Sequence, residues 1–148
     1  DSHDILASVH AIYKNHPVAE EKQIRLDEQS ASLSCVSDPR LLIRILGNMV
    51  KNALEAESAG ARLVVGCAGK DDAIRFWVNN PTPMPVSVKA QVFRRSFSTK
   101  GSGRGLGTYS IKLLGERYLN GQVSFTSDED SGTTFQLDIP NLDSVPDN

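Results

Sequence analysis

The sequence has no marked excess of charge of either sign: 16 basic residues against 18 acidic ones leave a formal charge of −2. That slightly acidic balance argues against a nucleic-acid binder, whose domain ordinarily carries a net basic field to neutralise phosphates. No apolar run approaches the ~18–20 residues that cross a bilayer, so no membrane contact is expected of this fragment. The opening residues Asp1-Ser2-His3-Asp4 show neither a basic n-region nor an apolar h-region, so no secretory leader is expected. Cysteine is scarce. Cys35 and Cys67 stand far apart in apolar-alternating stretches, which reads as two buried thiols in a reducing, cytoplasmic setting. The three histidines, His3, His10 and His16, all fall in the first sixteen residues. They have no neighbouring partners at metal-ligand spacing. Aromatics are only 6% of the chain, yet apolar residues reach 39%, whereas a disordered chain would be poorer in apolar residues and carry more net charge.

What is present suffices for one domain. At 148 residues a chain buries roughly two-thirds of the surface that unfolding would expose. Ile5, Leu6, Val9, Ile12 and Tyr13 recur at helical spacing, predicting an amphipathic helix that ends near His16-Pro17. Residues 1–18 are expected to be a linker helix leading into a domain over 19–140, with a frayed tail over 141–148. Gln23 to Asp27 and Ser32 to Val36 read as short strands. Asp38-Pro39 is a helix start, a capping carboxylate followed by proline at the first helical position. The helix is expected to run to about Ser58, with Gly60 as its stop. Ala61 to Ala68 and Ala73 to Val78 read as a hairpin around Gly69-Lys-Asp-Asp72. A helix is expected from about Leu106 to Leu119, closed by Asn120-Gly121. A last hairpin pairs the Val123 and Phe135 stretches around Asp128 to Gly132. The order predicts an α+β fold: a two-layer sandwich of a mixed, mostly antiparallel sheet with helices on one face.

Two features carry chemistry. On the long helix, Asn48 and Asn52 form an i, i+4 pair at the edge of the apolar arc of Leu42, Ile45, Leu46, Met49 and Ala53. A half-buried amide costs free energy unless it finds partners, and its carbonyl is a hard-oxygen ligand suited to Mg²⁺. Boundary amides bonded to a loop and ligands of a metal–phosphate group both stand as readings here. The second feature is Lys100-Gly-Ser-Gly-Arg-Gly-Leu-Gly107, with glycines at alternate positions ahead of a helix. Such a turn presents backbone N–H groups to an anion, and Lys100 and Arg104 add positive charge. It is neither a Walker A loop nor a dinucleotide fingerprint. A plain flexible loop is the other reading.

Together these segments resemble a known family. Asn48-Met-Val-Lys-Asn52-Ala-Leu-Glu-Ala56 resembles the N box of sensor histidine kinases. Phe93-Arg-Arg-Ser-Phe97-Ser-Thr-Lys100 is similar to their F box, and Gly103-Arg-Gly-Leu-Gly107 to their G2 box. Gly132-Thr-Thr-Phe-Gln-Leu-Asp-Ile-Pro140 resembles their closing strand. The order matches from about residue 5 to residue 140. The resemblance is to the catalytic, ATP-binding domain of bacterial two-component sensor kinases, in the gyrase-like GHKL superfamily. It implies a Bergerat-type fold with ATP between the N-box helix and a lid spanning roughly Val92 to Arg104, anchored by Phe93 and Phe97. Asn52 and Asn48 would hold Mg²⁺. Ser98, Thr99, Lys100, Gly101, Gly103, Arg104, Gly105, Leu106 and Gly107 would surround the phosphates, with Thr133 also at the nucleotide. Glu55 is the candidate general base. The parent protein would transfer the γ-phosphoryl to a histidine on a separate dimerisation domain, and through it to a response regulator. A membrane anchor elsewhere in that parent is compatible with this.

The sequence departs from the family at its G1 box, Asp-x-Gly-x-Gly. Counting back from Phe93 gives Asn79-Asn-Pro81-Thr-Pro83-Met84. Asn79 would then accept from the adenine amino group as a neutral partner, with Met84 as an apolar wall. A neutral bond is weaker than a charge-assisted one by ~1 kcal/mol, about fivefold in affinity. The prolines fix φ and remove two N–H groups, so the loop must take another path. His3-Asp4 superficially resembles the phospho-accepting motif, but the helix and strands before Asn48 leave no room for a helical hairpin, and His3 is read as linker. Two alternatives remain. One is a non-catalytic, pseudokinase-like interaction module that kept the fold. The other is an anti-sigma-factor-type kinase, against which the phenylalanine-rich lid segment speaks.

Overall fold

The computed structural model describes residues 1–30, 32–34, 37–92 and 106–141. The first helix, α1 (Ser2–Tyr13), is capped by Asp1, whose carboxylate accepts from His3 N at 2.7 Å. Its Ile5, Leu6 and Val9 are buried in the common core, so the segment expected as a linker packs as part of the domain. A 3-10 turn (Pro17–Ala19) leads to strand β1 (Gln23–Leu26).

The second stretch expected as a strand differs. Ser32, Leu33 and Ser34 are in no strand, while Ala31, Cys35 and Val36 lie outside the described residues. Leu33 spends its backbone groups on Ser2 instead: Ser2 N donates to Leu33 O and Leu33 N donates to Ser2 Oγ, both at 2.8 Å. With those bonds made, the segment has no ladder to join.

Helix α2 (Pro39–Glu55) starts as the cap residues dictate. The Asp38 carboxylate accepts from Arg40 N at 2.9 Å and Leu41 N at 3.4 Å. Its apolar arc, Leu42, Ile45, Leu46, Met49 and Ala53, is buried as the periodicity predicts, joined by Val50 and Leu54. The helix ends three residues before Ser58. Lys22 Nζ donates to Leu54 O at 2.7 Å and satisfies a terminal carbonyl from outside the helix.

Strands β2 (Arg62–Lys70) and β3 (Ala73–Asn80) pair antiparallel, turning at Asp71-Asp72. After a proline-rich loop comes the short helix α3 (Val86–Lys89). Helix α4 (Leu106–Leu113) passes into a π turn (Leu114–Tyr118) instead of continuing as regular helix to Leu119. Gly115 sits at that turn, where a Cβ would lie 2.7 Å from Val123 Cγ2 and 3.0 Å from Leu137 Cδ1. Strands β4 (Gln122–Asp128) and β5 (Gly132–Pro140) form the last hairpin.

The sheet order is β1-β2-β3-β5-β4, with β1 and β2 parallel and the other pairs antiparallel. This is the expected mixed α+β sheet. Alternation gives it two faces. Leu63, Val65, Cys67, Ile74, Phe76, Val78, Phe135, Leu137 and Ile139 form the buried face in one core with α1, α2 and Ile111 of α4. The opposite face carries the bidentate Arg75–Asp138 pair at 2.7 and 2.8 Å, which holds the Arg75 guanidinium above its ordinary pKa. No helix among the described residues is long and apolar enough to cross a membrane.

Candidate functional site

The site is built where β3 ends. Alternation along that strand buries Ile74, Phe76, Val78 and then Asn80. Asn80 pairs across the ladder with Thr133 of β5, and both polar side chains are 4% exposed. Asn80 Nδ2 donates to Glu57 Oε1 at 2.8 Å and to Thr82 O at 3.4 Å. Thr133 Oγ1 donates to Thr82 O at 2.9 Å. Two buried polar groups facing an apolar sheet surface are costly unless bonded, and here each is tied to the loop that follows.

That loop, residues 81–85, explains how the chain dispenses with the family's glycines. Pro81, Pro83 and Pro85 have no N–H, so only Thr82 and Met84 can donate. Thr82 N donates to Glu57 Oε1 at 2.9 Å, and its hydroxyl donates to Glu57 Oε2 at 2.9 Å. Met84 N donates to Ser127 Oγ at 2.6 Å. Both backbone donors are satisfied, and no residue of the loop takes a positive φ. The close approach that requires a glycine is on β5. Gly132 has φ +72°, and a Cβ there would fall 2.1 Å from Asn80 O and 2.7 Å from the Pro81 carbonyl.

The structure places Asn79 differently from the count back from Phe93. Asn79 lies on the opposite face of the sheet, where Nδ2 donates to Ser131 O at 2.9 Å and Thr134 Oγ1 at 2.9 Å. It borders a shallow depression with Val64, Trp77, Thr134 and Gln136, on the face away from α2. The physical reason is the period of two: one residue along a strand exchanges faces. Asn80, not Asn79, is therefore the asparagine on the α2 side of the sheet. Extending the apolar alternation Ile74, Phe76, Val78 by one step would have found it.

The last two turns of α2 carry Asn48 and Asn52, both half-buried, and the chain just past the helix delivers Glu57 to Asn80. Asn52 Nδ2 is buried with no hydrogen-bond partner, the one such side-chain atom among the described residues. The amide ends of an asparagine exchange by a flip, so either its oxygen or its nitrogen can face the unfilled position. Such an orphan end fits a ligand, Mg²⁺ or a polarised water among them, better than it fits a packed boundary.

Glu55 is half-buried on the last turn of α2. Its charge acts with burial, the larger cause, to push the Tyr13 phenol above its ordinary pKa. Met84 is half-buried and packs against the core, and Lys89 Nζ donates to Ser127 O at 2.9 Å beside it. Leu106 and Gly107 open α4. Phe93, Phe97, Ser98, Thr99, Lys100, Gly101, Gly103, Arg104 and Gly105 lie outside the described residues. His3 Nε2 lies 2.7 Å from Ser30 O, on α1. No cluster of three or more His, Cys, Asp or Glu that could hold a metal occurs among the described residues. Glu57, Ser127 and Lys22 were missed from the sequence. Each acts on a group far along the chain, and no local pattern marks it.

Comparison with known proteins bears on the family and the fold. Residues 37–143 match the model of the histidine kinase-, DNA gyrase B- and HSP90-like ATPases. The chain is 30% identical over 130 residues to the sensor histidine kinase CusS of Escherichia coli K12, covering 83% of this chain and 27% of that protein. It thus spans about a quarter of that relative's length. Among solved structures, the nucleotide-free catalytic domain of histidine kinase ThkA superposes with a TM-score of 0.82 at 22% identity, covering 94% of this chain and 91% of that one. ThkA in complex with the response regulator TrrA superposes with a TM-score of 0.78 at 20% identity, covering 94% and 40%. Likeness at that identity shows a shared fold. With a family match over residues 37–143, most of its length, the chain belongs to the histidine kinase-, DNA gyrase B- and HSP90-like ATPase family.

Proposed function

We propose that this chain is the ATP-binding catalytic domain of a sensor histidine kinase. It would transfer the γ-phosphoryl of Mg·ATP to a histidine on a separate dimerisation domain of the parent protein, which in turn phosphorylates a response regulator. The bond from γ-phosphorus to the β,γ-bridging oxygen breaks, a phosphorus–nitrogen bond to imidazole forms, and ADP leaves. The observation that carries this reading is the orphaned Asn52 Nδ2, buried on the helix just past which Glu57 reaches Asn80.

In this reading Asn52 and Asn48 hold Mg²⁺, which neutralises charge across the phosphates when bound. Asn80 replaces Asn79 as the group facing the adenine amino group, with Thr133 beside it and Met84 as apolar wall. Ser98 to Gly107, including Thr99, Lys100, Gly101, Gly103, Arg104, Gly105 and Leu106, enclose the phosphates. Phosphoryl transfer asks for positioning and charge neutralisation more than covalent chemistry. Glu55, one turn beyond Asn52, is the candidate base for the imidazole proton. The transfer to a response regulator is supported by the complex of ThkA with TrrA.

The rival reading, an interaction module that has lost ATP, rests on the proline-rich loop. Against it, that loop has both its N–H groups satisfied and keeps Asn80 and Thr133 on the α2 side of the sheet. Thermal unfolding with ADP or a non-hydrolysable ATP analogue, with and without Mg²⁺, separates the two. Nucleotide at a hundred times its dissociation constant adds ~2.7 kcal/mol, a shift of several degrees. A magnesium-dependent shift that vanishes in Asn52→Ala is expected. No shift at millimolar nucleotide in the folded chain leaves the interaction module.

A further inference from the structure

The carboxylate of Glu57 accepts three hydrogen bonds around the end of β3: from Asn80 Nδ2, from Thr82 N and from the Thr82 hydroxyl, at 2.8, 2.9 and 2.9 Å. Nothing in the N-box or glycine-rich motifs calls for a carboxylate here, and Glu57 is 23 residues from the asparagine it holds. We propose that Glu57 is the positioning residue of the base pocket. It fixes the Asn80 amide so that only its oxygen is left for a ligand, and thereby selects 6-aminopurine over 6-oxopurine nucleotides. This rests on the nucleotide-site reading above.

The argument is one of donor and acceptor inventory. A neutral asparagine amide is ambivalent, since its two ends have the same shape and opposite polarity. An ionised carboxylate only accepts. Turning the amide over would set its oxygen against Glu57 Oε1 at the present 2.8 Å separation, oxygen against oxygen. Thr82 O, the second acceptor at 3.4 Å, repeats the constraint. Both amide hydrogens are then directed at Glu57 and Thr82, and the amide can offer a ligand only an acceptor. The 6-amino group of adenine donates to such an oxygen, whereas the 6-oxo group of guanine opposes it.

The same carboxylate explains why an asparagine serves where the family has aspartate. A second carboxylate at this distance from Glu57 would repel it and could not donate to it. Asn80→Asp, which restores the family residue, is therefore expected to weaken nucleotide binding, and a compensating Glu57→Gln is expected to rescue it. The new amide would then supply the donor between the two side chains, giving up the bond from Thr82 N that shares Oε1, so the rescue is partial.

The test is the affinity of the full chain for ADP and for GDP, both with Mg²⁺, in four proteins: wild type, Glu57→Ala, Asn80→Asp and the double variant Asn80→Asp with Glu57→Gln. Thermal unfolding of each confirms the fold. Wild type is expected to prefer ADP by about tenfold or more. In Glu57→Ala the preference falls at least ~3-fold, because only the longer Thr82 O contact at 3.4 Å then opposes reversal of the amide. In Asn80→Asp the ADP affinity falls by about tenfold, and in the double variant it recovers by ~3-fold. A general loss of fold would lower both nucleotides together and would not be rescued by a second substitution. An unchanged ADP-to-GDP ratio in Glu57→Ala, or Asn80→Asp binding ADP as tightly as wild type, overturns the role of Glu57 while leaving the nucleotide site standing. A wild type that binds neither nucleotide overturns the site itself and this role with it.

Discussion

At the scale of single residues, the site depends on a few places where a group has no substitute. Gly132 is the sharpest. Its φ of +72° disfavours any side chain, and a Cβ would collide with the backbone of Asn80 and Pro81. Gly132→Ala is expected to cost at least ~2 kcal/mol in denaturant unfolding and to weaken ADP binding by displacing Asn80. Gly60 serves as the control. It also has a positive φ, +90°, but nothing lies within 4 Å of its would-be Cβ. Gly60→Ala should cost only the conformational part, ~1 kcal/mol, and leave ADP affinity unchanged. Equal costs at the two positions would refute the close approach as the reason for Gly132. Asn52 presents the opposite case, a side chain whose cost of burial is unrelieved within the described residues and which is retained in spite of it.

At the scale of elements, α1 and α2 show how packing writes itself into titration. The Tyr13 ring lies against Gly47 of α2, whose would-be Cβ is 3.0 Å from Tyr13 Cε2. Burial first, and the charge of Glu55 second, raise the phenol above its ordinary value of 10.0. A folded pKa above the unfolded one means that the folded state holds the proton more tightly. The stability this contributes is complete below the unfolded value and is lost as pH rises through the folded one. Tyr13→Phe should therefore unfold less steeply than wild type above about pH 10 and track it below. Melting curves taken across that interval read the difference, and parallel curves throughout would count against the coupling. Elements also set the limits of periodicity. The α2 arc is legible because seventeen helical residues repeat one pattern. The end of α4 is not, because its π turn answers to Val123 and Leu137, which lie on other elements.

At the scale of the whole molecule, the first helix belongs to the domain. Leu6 is 2% exposed and shares one core with α2 and the sheet. Leu6→Ala is expected to cost about 2–5 kcal/mol, read by denaturant unfolding with an unchanged slope. A loss below ~0.5 kcal/mol would mean a detachable lead-in helix. The sheet order matters to function as well. Placing β5 between β3 and β4 sets Thr133 opposite Asn80 and Ser127 opposite Thr133. The proline-rich loop is thereby held from β4, β5 and the end of α2 at once, through Ser127, Thr133 and Glu57.

The sequence by itself determined the local facts: the Asp38 cap, the buried arc of α2, the two hairpins, the asparagine pair and the glycine-rich approach to α4. Each is a matter of short-range stereochemistry or of a period repeated within one element. The family match follows from the same motifs. Tertiary structure decided which neighbouring asparagine lies under the helices, because that depends on which side of β3 they cover. It decided that Leu33 bonds to Ser2 instead of joining a sheet. It also decided that a loop without glycines holds its path, because its two N–H groups are taken by Glu57 and Ser127. Those partners lie 25 and 43 residues away, and a contact made by closing so long a stretch of chain leaves no periodic trace in the sequence.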